Sequence, residues 1–143
     1  MRNRALFLMA ILGCAAGAPA AADGISEATL QRLQTCADTA GAAGPAATTD
    51  CIDGALEACN EGGAWSGLSC YYEMREGMTI LAEARFADRA LFFAWLLDAG
   101  DGMCGDVIAE LPAGTPQRGS SALCAYQAAR TAFSAAAWMD DRR

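Results

Sequence analysis

The chain has 143 residues with seven cysteines, 17 acidic residues against ten basic ones, no histidine and no lysine. A net charge of −7 without a basic stretch argues against a nucleic-acid surface and favours cationic partners, or simple solubility. The missing His and Lys remove the commonest general bases and amine nucleophiles, which leaves little room for catalysis.

Residues 1–22 read as an export signal. Arg2 and Arg4 form a basic n-region, Ala5 to Leu12 an apolar run too short for a stop-transfer helix, and A-x-A cleavage options follow Ala20 and Ala22. The run "ILGC" at 11–14 resembles a lipobox that would place a lipid anchor on Cys14, although Leu12 is uncommon at its position. The expectation is cleavage to a periplasmic or secreted domain spanning 23–143. Cys14 leaves the thiol pool in both cases, and six cysteines in an exported chain read as three disulfides. The 121 residues that remain suffice for one domain, and with eight basic against 17 acidic residues they carry −9.

After the signal, Ser26 or Asp23 caps a first helix whose apolar residues Ile25, Leu30 and Leu33 recur at helical spacing. A Gly/Pro/Ala loop at 41–49 follows. A second helix over roughly 49–60 is expected, with Thr48, Thr49 or Asp50 as cap, Ile52, Ala55 and Leu56 inward, and Gly62 and Gly63 at its end. The third stretch starts at Ser66 and turns Leu68, Tyr71, Met74, Met78, Leu81 and Ala82 to one side, with Gly77 as a weak point. It then thickens into Leu91, Phe92, Trp95 and Leu96 and stops at Gly100, as one long helix or as two with a bend between Phe86 and Asp88. The apolar run "ALFFAWLL" at 90–97 is too short for a membrane span and reads as core. A short helical piece around 103–110 and a Pro/Gly loop precede the last helix. Ser120 or Ser121 caps that helix, and Leu123, Tyr126, Ala129, Arg130, Phe133 and Ala137 form its inner stripe. No segment alternates with period two for long enough to be a strand. The expected fold is all-α, a bundle of four to five helices.

Zinc sites pair cysteines two to four residues apart and often add histidine, whereas no two of these six lie closer than Cys51 and Cys59. A redox C-x-x-C is likewise missing, so crosslinks remain. On one helix, Cys51 and Cys59 stand about 12 Å apart, beyond the roughly 7 Å that a disulfide tolerates. Each must reach a neighbouring element. Sequential pairing then gives Cys36–Cys51, Cys59–Cys70 and Cys104–Cys124, each stapling consecutive helices.

Ser26, Ser66 and Ser121 occupy cap positions. Glu73, Glu76 and Asp88 fall at helical intervals but read as solvated acids, and Asp140 and Asp141 as tail charges. The residues present no active site, metal site or cofactor site. Binding is the expected class.

The order Cys36, Cys51, Cys59, a Gly-Gly pair, Cys70 and then a long Glu- and Ala-rich helix resembles the lysozyme-inhibitor LprI-like family of small exported bacterial proteins, best over residues 30–85. "TILAE" (Thr79 to Glu83) stands where that family carries Asp-x-x-Leu-Asn, keeping Leu81. In the last helix Gln127 and Phe133 keep the spacing of Gln-x-x-Trp-x-x-Phe-Arg, with Arg130 for Trp and Ser134 for Arg. The closing cysteine of the family is missing, and Cys104 and Cys124 appear instead. The resemblance implies a helical protein that binds and inhibits a cationic lysozyme, with Glu73, Glu76 and Glu83 on the exposed side of the third helix as candidate contacts. The competing expectation is a structural or interaction protein without inhibitory activity that holds a partner in an apolar groove near Trp65 or Trp95. A small-ligand module is a third class.

Overall fold

The computed structural model describes residues 25–62 and 67–141. The export signal, Cys14, Asp23, Gly63, Trp65 and Ser66 lie outside the described residues. Five α-helices and one 3-10 turn follow in order: α1 (Glu27–Ala40), α2 (Pro45–Gly62), α3 (Leu68–Arg85), the 3-10 turn (Ala87–Arg89), α4 (Ala90–Ala109) and α5 (Gln117–Asp141). The described residues contain no strand, so the fold is all-α.

Ser26 starts α1 as its cap, its hydroxyl accepting from the Thr29 N–H at 3.2 Å. The second helix begins four residues earlier than the sequence pattern suggests. Gly44 takes φ 102°, and Pro45 then supplies a first helical position at which its missing N–H costs nothing. Thr48 and Thr49 are therefore not caps. Their hydroxyls bond back to the carbonyls of Gly44 and Pro45 inside the helix.

Of the two expected alternatives, one long helix or two with a bend, the second is present. Phe86 leaves helical geometry and buries its ring against Phe133, with centroids 5.5 Å apart and edge to face. Beyond it, α4 neither stops at Gly100 nor restarts near 103; it runs unbroken to Ala109. Three tertiary contacts outweigh the low helix propensity of Gly100 and Gly102. Gly100 packs against Ala128 of α5, Asp101 is clamped by Arg75 of α3, and Cys104 is bonded to Cys124 of α5. The last helix starts at Gln117, so neither Ser120 nor Ser121 caps it, and the Ser120 hydroxyl donates to the Pro116 carbonyl instead.

All three expected disulfides are formed: Cys36–Cys51, Cys59–Cys70 and Cys104–Cys124, with Cα separations of 5.5, 5.9 and 5.7 Å. They tie α1 to α2, α2 to α3 and α4 to α5. The longest helix, α5, is the hub and packs on α2, α3 and α4, while α1 packs on α2 and α3. Its buried face is mostly alanine (Ala122, Ala129, Ala132, Ala136, Ala137) with Tyr126, Phe133 and Ser134, so neighbouring backbones approach closely. Leu33, Ile52, Met74, Met78, Phe86 and Phe93 fill the space around it. Leu123, expected on the inner stripe, points out, and Ala122 takes the inner position.

Candidate functional site

The three candidate glutamates do not share one environment. Glu76 and Glu83 are exposed on α3. Glu73 is half-buried and belongs to the α1 cap, accepting from the Ser26 N–H at 3.0 Å and the Ser26 hydroxyl at 2.8 Å. Burial pushes its carboxyl up, but hydrogen bonds from the Thr29 hydroxyl and from both Ser26 donors outweigh this and hold it below its ordinary value. The reading of Glu73 as a solvated contact residue is corrected by this geometry. An acid that completes a cap in its own protein is poorly placed to pair with a partner.

Glu76 lines a groove of about 360 Å³ between α3 and α4, together with Tyr72, Arg75, Thr79 and Leu97. Arg75 is one of the lining residues. The guanidinium grips Asp101 through two bonds of 2.8 and 2.6 Å and donates to the Ala125 carbonyl at 2.9 Å, joining three helices. Tyr72 stands half-exposed at the rim.

A second polar cluster joins α2 to α5. Asp53 accepts from the Tyr126 hydroxyl at 2.7 Å and from Arg130 at 2.6 Å to each carboxylate oxygen, and the guanidinium lies 5.7 Å from the Tyr126 ring centroid. Burial, then the Asp53 hydrogen bond and charge, raise the Tyr126 phenol above its ordinary value. Burial works against the Arg130 charge, yet the bond and charge of Asp53 keep it raised. Arg130, standing where the resembled family has Trp, thus makes a helix-to-helix tie. Of the other positions that carry the resemblance, Gln127 is exposed, Phe133 is core, Leu81 packs against the core edge, and Ser134 is buried 3.1 Å from the Thr49 hydroxyl.

The surface feature that stands apart is α4. Phe93, Leu96, Leu97 and Cys104 turn toward the bundle, yet much of the remaining surface of the helix is also apolar. Leu91 is 88% exposed, Met103 69%, Trp95 64% and Val107 56%. Phe92 stacks on Trp95 with centroids 6.4 Å apart. The run at 90–97 read as core is therefore core on one side only. The sequence does carry the signal: a helix with one covered side needs an apolar stripe, and residues 90–97 are apolar around the whole circumference. Acids accompany the exposed side. Asp98, Asp106 and Glu110 are exposed, each three positions beyond Trp95, Met103 and Val107 respectively.

Among the described residues no group of three or more His, Cys, Asp or Glu is arranged to hold a metal ion, and no helix is long and apolar enough to cross a membrane. Comparisons with protein-family models, with curated proteins and with solved structures found no match for this chain.

Proposed function

We propose that this chain is an exported helical binding protein that takes a protein partner on the outer side of α4. The observation that carries the reading is the quartet Leu91, Trp95, Met103 and Val107, large apolar side chains left in water on one helix. Contiguous exposed apolar surface is uncommon on soluble monomers and marks interaction sites, and a Trp within it is a frequent energetic anchor. Export is supported by the n-region, the apolar run and the A-x-A sites at the N-terminus. Three disulfides in a chain of this size fit an oxidising compartment.

The test uses the disulfide-bonded protein and its Leu91→Ser/Trp95→Ser variant as baits in extract from the exported compartment. Expected is a protein retained by the wild type and lost with the variant, while the two baits melt alike. Identical captures would remove α4 from the reading.

A second reading follows from the resemblance over residues 30–85: the partner is a cationic lysozyme, and binding inhibits it. Glu76 and Glu83 favour it, being exposed and outside the ion pairs of the described residues. Glu76 also lines the groove between α3 and α4. Slowed clearing of cell walls by lysozyme at near-stoichiometric ratios would support inhibition. Several lysozyme types left untouched at excess would leave binding through α4 without inhibition.

A further inference from the structure

The exposed side chains of α4 have a spacing and a charge that narrow what fits on them. Leu91, Trp95, Met103 and Val107 are separated by multiples of four residues, so they rise about 24 Å along the helix while turning about 40° per four residues; Leu91, Trp95 and Met103 lie within about 120° of one another, and Val107 turns beyond them toward the side of Cys104. Side chains three apart on a helix are neighbours. Asp98, Asp106 and Glu110 therefore each stand beside an exposed apolar residue, Trp95, Met103 and Val107 in turn. All three acids are exposed and none takes part in an ion pair of the described residues. Asp101, on another side of the same helix, shows the contrast, because Arg75 neutralises it. No basic residue occurs anywhere in α4.

We infer that the outer side of α4 docks a cationic amphipathic helix of a partner protein, its apolar stripe on Leu91, Trp95 and Met103 and its Lys or Arg residues against Asp98, Asp106 and Glu110. The inference rests on the reading of α4 as the partner-binding surface and adds the chemistry of the partner. Apolar anchors spaced along a helix are met by the apolar stripe of another helix, and the rise of about 18 Å from Leu91 to Met103 matches some 12 residues of it. Charge decides among occupants. A second copy of this chain would bring the three acids toward a like set, which costs energy instead of gaining it. An anionic lipid surface repels the same acids. A cationic helix gains at each of the three positions and is steered in by the net charge of −7.

The experiment measures binding of three synthetic 18-residue peptides (a chosen length of about five turns) that share one leucine stripe and carry Lys, Gln or Glu elsewhere. A scrambled Lys/Leu peptide without a stripe is the control. Expected is tighter binding of the Lys peptide than of the Gln peptide by about tenfold or more, equivalent to at least about 1.4 kcal/mol, with no binding of the Glu peptide. Added salt and the Asp98→Asn/Asp106→Asn/Glu110→Gln variant should both erase the Lys advantage, and Leu91→Ser/Trp95→Ser should abolish binding of both peptides. Equal affinity for Lys and Gln peptides overturns the cationic partner and leaves the α4 surface standing. Lys-peptide binding that survives Leu91→Ser/Trp95→Ser, or that the scrambled peptide matches, overturns both. If no peptide binds, sedimentation and phosphatidylglycerol vesicles decide what replaces the inference. Dimerisation lost in Leu91→Ser/Trp95→Ser assigns the surface to a second copy, vesicle binding lost in that variant assigns it to lipid, and neither response removes the site.

Discussion

The Glu73 carboxylate takes both the backbone N–H and the hydroxyl of Ser26, at 3.0 and 2.8 Å, across 47 residues of sequence. A cap is usually local: the Ser26 hydroxyl already accepts from Thr29 N–H, three residues on. Here α3 supplies the outer half, so the start of α1 is welded to the first turns of α3.

This weld is expected to titrate. The carboxyl is held below its ordinary value of 4.5, so the stability it contributes is fully present above that pH and is lost as pH falls through the lower folded value. Glu73→Ala should cost about 1–2 kcal/mol at neutral pH, the range of a lost cap with a charged acceptor. Glu73→Gln, which keeps an acceptor, should cost less but flatten the decline on acidification. Urea melts from pH 7 to pH 3 check this, and parallel profiles for wild type and Glu73→Gln would refute it.

The same bond changes how inhibition must be tested. Replacing Glu73, Glu76 and Glu83 together would mix loss of a contact with loss of a cap. Glu76→Gln/Glu83→Gln alone should leave the melting temperature within a degree or two, since exposed acids contribute little. Weaker lysozyme inhibition by that variant, fading further with salt, is the expected outcome if those acids are contacts.

Gly100 tests how closely α4 lies on α5. A Cβ placed there would sit 2.6 Å from the Ala128 Cβ and 3.3 Å from its Cα. Gly100→Ala should therefore destabilise by about 1–3 kcal/mol through overpacking, although alanine gains about 1 kcal/mol in helix propensity. Ala128→Gly in the same chain should recover part of the loss. Gly102→Ala and Gly105→Ala meet nothing within 4 Å and should stabilise by up to about 1 kcal/mol. Denaturant melts of the four variants separate close packing from intrinsic propensity.

Arg75 is expected to resist conservative replacement. Its planar fork serves both Asp101 oxygens and the Ala125 carbonyl, and a lysine ammonium cannot match that arrangement. Arg75→Lys should cost about 1–2 kcal/mol, near the lower range for charged hydrogen bonds because both partners keep some water contact. A double-mutant cycle with Asp101→Asn should return a coupling energy of at least about 0.5 kcal/mol. Additive losses would show that the pair is not one unit.

The third disulfide should matter for the proposed partner surface as well as for stability. Cys104→Ser/Cys124→Ser should lower stability by about 3 kcal/mol in the chain-entropy account. It should also raise amide exchange in the second half of α4 more than in α1, because Cys104 is the tie that holds that end on α5. Native thiol titration of the wild-type protein should find none of the six cysteines reactive.

Local patterns in the sequence were enough for the helical class and, with sequential partners taken, for all three cysteine pairings; they narrowed the first cap to Ser26 or Asp23 and the third stretch to one long helix or two with a bend between Phe86 and Asp88. Each depends on spacing along a helix or on a residue with a strong backbone preference, and both act over a few positions. The start of α2 at Pro45 was also written locally, in the Gly44–Pro45 pair, although the later threonines looked like better caps. Three features were decided only by tertiary structure. Helix α4 continues through Gly100 and Gly102 because α3 and α5 grip it at Gly100, Asp101 and Cys104, contacts that propensity does not contain. Glu73 is tied to the cap of α1 by donors on Ser26, 47 residues away, so its helical position alone gave no sign of them. Leu91 and Trp95 face water because periodicity assigns direction only where apolar and polar residues alternate around a helix. Over residues 90–97 of α4 the apolar residues surround the axis, and the packing of the other helices chose which side they covered.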